Sequence, residues 1–144
     1  MANDEPKAFV DVNVFLDVLQ IRKNWESSLK VISFVRQKKV TGYVSALTVA
    51  ILYFLRSRDG FSDNQSRRDV GDSISGFEIL GLDGKHVMAA LSDKRFNDFE
   101  DALQFYSAKG VANAILTRNK RDFSSVSGDM EILTPEEFLK KYSD

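Results

Sequence analysis

Short, almost wholly apolar runs alternate along the chain with segments in which apolar residues recur at helical spacing. Ala8 to Val10 reads as a short buried strand, and Asn13 stands where an Asx residue would cap a helix running to about Leu19. Trp25 to Lys38 carries Leu29, Ile32 and Val35 on one face with Lys and Arg opposite, which predicts an amphipathic helix. Val40 to Val44 is β-branched and apolar enough for a second strand, and Ser45 is placed to cap a helix from Leu47 to about Arg58. Gly60 and the Ser62-Asp63-Asn64 cluster end that helix and start another, which runs to about Ser75 and stops at Gly76. Phe77 to Leu82 fits a third strand and Lys85 to Leu91 a helix. Asp98 caps a further helix that reaches Ala108 and ends before Gly110. Ala114 to Leu116 is a fourth strand and Ile132-Leu133 a short fifth. Thr134-Pro135-Glu136-Glu137 opens a last helix, with proline at its first position and acids in its first turn.

Strands alternating with helices predict an α/β fold with a central parallel sheet of four to five strands covered on both faces. Ligands bind such sheets at the carboxyl ends of the strands, near the point where the strand order reverses. No repeat, linker or low-complexity run divides the 144 residues, so one domain over 8–144 is expected, behind a loose polar tail over 1–7. A chain of this length hides roughly 68% of its unfolded surface, so neither metal nor disulfide is needed to fold it. With no cysteine, thiolate metal sites and cysteine nucleophiles are excluded. Met1 to Lys7 is acidic rather than basic-then-apolar, unlike a secretory signal. The most apolar stretch, Tyr43 to Leu55, is interrupted by Ser45 and Thr48 and falls short of the ~20 residues that span a bilayer. A cytoplasmic protein without a membrane segment is expected. Its net charge of -1 also means that any polyanionic partner must be held locally.

Three polar clusters fall at the carboxyl edge of the expected sheet: Asp11, Asn13 and Asp17 after the first strand; Asp98, Glu100 and Asp101 at the start of the sixth helix; Thr117, Arg118, Asn119 and Asp122 after the fourth strand. Carboxylates gathered without basic partners repel one another, and a hard divalent cation such as Mg²⁺ is the usual remedy. The chemistry that follows is phosphoryl or phosphodiester work. Structural roles account for part of the set: Asn13 and Asp98 as caps, Glu100 as a first-turn charge, Asp17 as a surface acid. Asp11, directly after an apolar strand, has no such explanation. His86 alone builds no zinc site and reads as a helix-face residue. Phe99, Phe105, Tyr106 and Phe123 read as core, and the pairs Lys38-Lys39, Arg67-Arg68 and Lys120-Arg121 as solvated.

Four segments in order, FVDVNVFLDVL from Phe9, VSALTVAILYFL from Val44, DFEDALQFYSA from Asp98 and AILTRNKRDF from Ala114, together with LTPEEFL near the end, resemble the PIN-domain family over nearly the whole chain. The resemblance implies a Rossmann-like three-layer α/β/α sandwich and a metal-dependent ribonuclease of the toxin type found in toxin-antitoxin pairs. It further implies that Asp11, Asp101, Asn119 and Asp122 hold Mg²⁺ or Mn²⁺, with Asp11, Asp101 and Asp122 as the catalytic carboxylates. Asn13, Ser45 and Thr117 would orient them, and Arg118, Lys120 and Arg121 would meet the RNA backbone. The implied partners are RNA, an antitoxin protein and a second copy of the chain. At the position where the family places a glutamate, this sequence has Ile51, which removes a negative charge and two ligand oxygens. The alternative is therefore a catalytically inactive PIN-like module that binds RNA or a protein. A phospho-acceptor receiver domain, using Asp83, is a third reading, less well matched because two helices separate the first two strands.

Overall fold

Ala8, Phe9 and Val10 are each fully buried because their strand lies at the centre of the sheet with helices on both faces. In the structure, a computed structural model describing residues 5–142, β1 (Lys7–Val10) leads into α1 (Val12–Leu19) and α2 (Trp25–Arg36). Next come β2 (Thr41–Ser45), α3 (Ala46–Arg58), α4 (Asp63–Ser73), β3 (Glu78–Leu80) and α5 (Gly84–Ser92). The chain finishes with α6 (Phe99–Ala108), β4 (Ala114–Leu116), a 3₁₀ helix (Lys120–Val126), β5 (Glu131–Leu133) and α7 (Pro135–Tyr142). All strand pairs are parallel, in the order β3-β2-β1-β4-β5, with Phe9 level with Tyr43 on one side and Ile115 on the other. The order reverses between β1 and β4. A receiver domain of the 2-1-3-4-5 kind would place β1 elsewhere, so that reading is set aside.

Alternation along β1 divides the core. Ala8 and Val10 face a cluster built with Phe15, Val31, Leu52, Val70 and Phe138, from α1, α2, α3, α4 and α7. Phe9 points the other way, to Phe105 of α6 and Phe123 of the 3₁₀ helix. This is the expected three-layer α/β/α arrangement. β2 approaches α2 so closely that a Cβ on Gly42 would lie 2.6 Å from a Val35 methyl, which only glycine avoids. Among the described residues no helix is long and apolar enough to cross a membrane.

Several expectations are corrected. Asp11, not Asn13, is the N-cap of α1: it has extended backbone and accepts from the Val12 N–H, while Asn13 lies inside the first turn. Asp17 is buried rather than a surface acid, and Phe99 is exposed rather than core. The third strand shrinks to a three-residue edge. His86 closes a capping box, with Asp83 accepting from its N–H and the imidazole Nδ1 accepting from that of Asp83. Most of the expected tail lies outside the described residues, and Lys7 already belongs to β1.

Candidate active site

At the end of β1 the backbone makes one more sheet bond, Asp11 N–H to the Leu116 carbonyl at 3.0 Å, before turning into α1. The turn buries the Asp11 side chain at the β1–β4 switch point, where only 4% of the residue is exposed. Its Oδ1 accepts from the Val12 N–H at 2.9 Å and its Oδ2 from the Thr117 hydroxyl at 2.9 Å. Thr117 Oγ1 in turn accepts from the Asn119 N–H at 3.0 Å, so one buried hydroxyl ties the loop after β4 to the carboxylate after β1. Burial pushes the Asp11 carboxyl above its ordinary range and the charge of Asp122 adds to this; hydrogen bonds from Thr117, Val12 and Asn13 oppose it.

Asp101 reaches the same edge from α6. Asp98 caps that helix by accepting from the Glu100 N–H at 2.7 Å, which sets Asp101 in the first turn. Its carboxyl is pushed up to about 7, first by burial and then by repulsion from Asp122, Asp98, Asp11 and Glu100. Glu100 is raised too, by burial and by Asp98 and Asp11. Asp11, Asp101 and Asp122, which sequence placed far apart, thus act on one another electrostatically.

They share a field rather than a finished coordination shell. Among the described residues no three acidic or imidazole side chains are gathered closely enough to hold an ion as they stand. The donor set, all carboxylate and amide oxygen with uncompensated negative charge, fits a hard divalent cation that would relieve the repulsion. Closing onto one would need side-chain adjustment.

Ser45 is fully buried and caps α3, accepting from the Thr48 N–H at 3.0 Å. It also donates to Gln104 Oε1 at 2.6 Å, while Gln104 Nε2 donates to Thr48 Oγ1 at 2.9 Å. Gln104 lies on α6 one turn beyond Asp101, so this triangle fastens the Asp101 helix to the end of β2. Sequence reasoning missed it. The available signal was a glutamine among the inward positions of an otherwise apolar helix face.

The expected basic residues separate. Arg118 points away from the carboxylates: it donates to Asp17 at 2.6 Å, Glu136 at 2.5 Å, Ser28 at 3.0 Å and the Asn24 carbonyl at 2.9 Å. Its guanidinium is engaged within the protein, contrary to the expectation of an RNA contact. Lys120 pairs with Glu137 of α7 at 3.0 Å. Arg121 instead lines a cleft of roughly 190 Å³ with Asp98, Asp101, Asp122 and an unanticipated Arg95. Asp11 and Asn119 do not line it. Asn119, exposed, opens the 3₁₀ helix without a side-chain cap bond. Ile51 packs with Leu55 against the larger core cluster, whereas Leu47 packs against Ala102 and Leu103 instead of sharing that face.

The family model for the PIN domain matches residues 7–121. Ribonuclease VapC1 of Aquifex aeolicus (strain VF5) is 28% identical over 142 residues, covering 95% of this chain and 96% of the relative. Among solved structures, VapBC2 from Rickettsia felis bound to a DNA fragment from its promoter matches with a TM-score of 0.67 at 14% identity, over 89% of this chain and 98% of that one. PAE2754 from Pyrobaculum aerophilum matches with a TM-score of 0.60 at 14% identity, over 96% and 90%. At that identity the two structures speak to the fold alone.

Proposed function

Because the chain belongs to the PIN-domain family, we propose that it is a divalent-metal-dependent endoribonuclease of the toxin-antitoxin type, acting on RNA in the cytoplasm and restrained by an antitoxin protein. The carrying observation is electrostatic: Asp122 raises the pKa of Asp11 and Asp101, and Asp11 that of Asp101, at the switch-point edge of a parallel sheet, with no ion pair to any of the three among the described residues. The likeness to Ribonuclease VapC1 over nearly both full lengths supports the substrate class.

Asp11 and Asp101 would hold Mg²⁺ or Mn²⁺, with Asp122 and Asn119 completing the oxygen set. Such an ion acidifies water and offsets the charge that develops on a phosphodiester in the transition state. The protein's own contribution is positional. Thr117 holds Asp11 Oδ2, the Asp98 cap and the Gln104 triangle hold α6, and burial keeps bulk water from screening Asp11.

A second reading, a catalytically inactive module, is favoured by Ile51, which contributes apolar packing where the family resemblance calls for a glutamate. One comparison separates the two: single-stranded RNA incubated with purified protein in Mn²⁺ or in EDTA, beside Asp101→Asn. Manganese-dependent cleavage lost in the variant supports the nuclease; cleavage absent from the native chain favours the module, and manganese-dependent cleavage equal in the variant removes Asp101 from the catalytic set. Ile51→Glu extends the test. A restored ligand gives a variant destabilised without metal and rescued by Mn²⁺, whereas a packing position gives a loss that Mn²⁺ leaves unrepaired.

A further inference from the structure

The basic run Arg118-Asn119-Lys120-Arg121 divides by direction. Arg118 and Lys120 pair with Glu136 and Glu137 of α7, and Arg118 also pairs with Asp17. Arg121 has no ion pair among the described residues, is exposed, and opens onto the acidic cleft. Arg95 lines the same cleft from the α5–α6 connection. It is held there: Asp93, almost buried, grips its guanidinium through Nε at 3.0 Å and Nη2 at 2.7 Å and is itself steadied by the Tyr106 hydroxyl at 2.8 Å. A fork fixed on one edge keeps its other donors at a set position, and 44% of the Arg95 side chain remains exposed. Asp129, at 3.4 Å, is a loose partner on that side.

We propose that Arg121 and Arg95 are the phosphate-binding pair of this cleft, so that the backbone of a single-stranded RNA runs between the α5–α6 connection and the 3₁₀ helix, past Asp98, Asp101 and Asp122. The charges are arranged for such a guest. Carboxylates in the middle repel a polyanion unless a cation sits with them, while a guanidinium on either element attracts the phosphates before and after that point. Arg121 supplies an unpaired, adaptable charge, and Arg95, whose charge Asp93 offsets, supplies fixed guanidinium donors. The choice of RNA rests on the nuclease reading above; the interaction itself is with backbone phosphate.

Binding can be measured apart from cleavage. The probe is a fluorescein-labelled single-stranded RNA titrated by anisotropy in Ca²⁺, a hard cation that takes the same oxygen ligands but acidifies bound water far less than Mg²⁺ or Mn²⁺, over a series of KCl concentrations. Removing one cation–phosphate interaction lowers the slope of log K against log salt by about 0.7 on a single strand. Arg121→Gln and Arg95→Gln are each expected to lower the slope by that amount and to weaken binding several-fold. Arg67→Gln, on α4 where Arg67 pairs with Asp63, should change neither. If Arg95→Gln melts early because Asp93 loses its partner, Arg95→Lys replaces it and is expected to retain the slope with weaker affinity. Wild-type slope and affinity in Arg121→Gln, or an equal loss in Arg67→Gln, overturns the proposal. A DNA strand of the same sequence bound equally well, with the same Arg121 dependence, overturns the RNA assignment. Absence of cleavage of the same RNA in Mn²⁺ alongside intact, Arg121-dependent binding overturns the nuclease reading alone.

Discussion

Arg118 and Asp122 follow the same strand, yet one enters a network in which every charge has a partner and the other a cleft in which like charges face each other. On the α7 side, Arg118 joins Asp17, Ser28 and Glu136, holding α1, α2, the end of β4 and α7 together with hydrogen bonds of 2.5 to 3.0 Å. On the α6 side, the charge of Asp122 raises the pKa of both Asp11 and Asp101, and none of the three has an ion pair among the described residues, although Arg95 and Arg121 line the same cleft as Asp101 and Asp122. Both groups are oxygen-rich and partly withdrawn from water, so burial does not distinguish them. Compensation does. A neutralised cluster serves the fold, while an uncompensated one lowers the stability of the free protein and is retained where a ligand relieves it.

The comparison breaks most visibly at its structural half. Arg118→Ala leaves Asp17, 3% exposed, with only Ser28 beside its carboxylate. Removing one member of a largely buried pair costs about 2–4 kcal/mol, and a melting temperature lowered by roughly 5–15 °C is expected. Pairing it with Asp17→Asn should recover part of the loss. A drop of a degree or two in the single variant would mean that the network is worth no more than a surface ion pair.

Gln104→Leu tests the fastening of the Asp101 helix. It takes the amide partner from the buried Ser45 and Thr48 hydroxyls, which keep only their bonds to each other and to the Thr48 N–H, at a cost of about 1–2 kcal/mol, and frees the first turn of α6. Beyond the lower melting temperature, the stabilisation that Mn²⁺ confers should shrink. An unchanged manganese shift in the destabilised variant would confine Gln104 to folding.

At the cleft the sign reverses. The Asp101 carboxyl titrates near 7 in the folded chain against an ordinary 3.8, so the native state holds that proton more tightly than the unfolded one. Its contribution is fully present below about 3.8 and is lost as pH rises through about 7. In EDTA, Asp101→Asn should therefore match the native chain near pH 4 and exceed it at pH 8. The margin is about 1–2 kcal/mol, reduced from the full shift because the group is only half-buried. Urea melts across that range decide it; a variant less stable at pH 8 would remove the repulsion argument.

How much of this could be read beforehand follows from what each feature depends on. Strands and most helices were legible because apolar runs and periodic faces are local, and Asp11 stood out as an acid directly after an apolar strand, its cap role at α1 having been given to Asn13. The 3₁₀ helix Lys120–Val126 was missed because a tight turn of helix leaves no 3.6-residue apolar pattern. Asp17 looked solvent-facing because its neutralising partner, Arg118, lies 101 positions away. The same distance hid the partners of Arg118: a guanidinium's direction is set by carboxylates on other elements, which spacing does not reveal. Arg95 carries no motif, and only the folding back of the α5–α6 connection brings it to the cleft.

Asn119 offers the finest test of the contrast, because changing it adds one unit of charge to the uncompensated side without touching the paired one. It is exposed, its side chain makes no cap bond, and its backbone N–H to Thr117 Oγ1 is available to any residue. Asn119→Asp should therefore fold as the native chain does. Without metal the added charge joins Asp11, Asp101 and Asp122 and costs a few tenths of a kcal/mol, about a degree, because exposure and salt screen it. With Mn²⁺ the same carboxylate becomes an oxygen donor of full charge where an amide stood, so the manganese-induced rise in melting temperature should exceed the native one. The two effects have opposite signs in one variant. A loss that persists unchanged in Mn²⁺ would place Asn119 outside the cation's reach and leave the set to Asp11, Asp101 and Asp122.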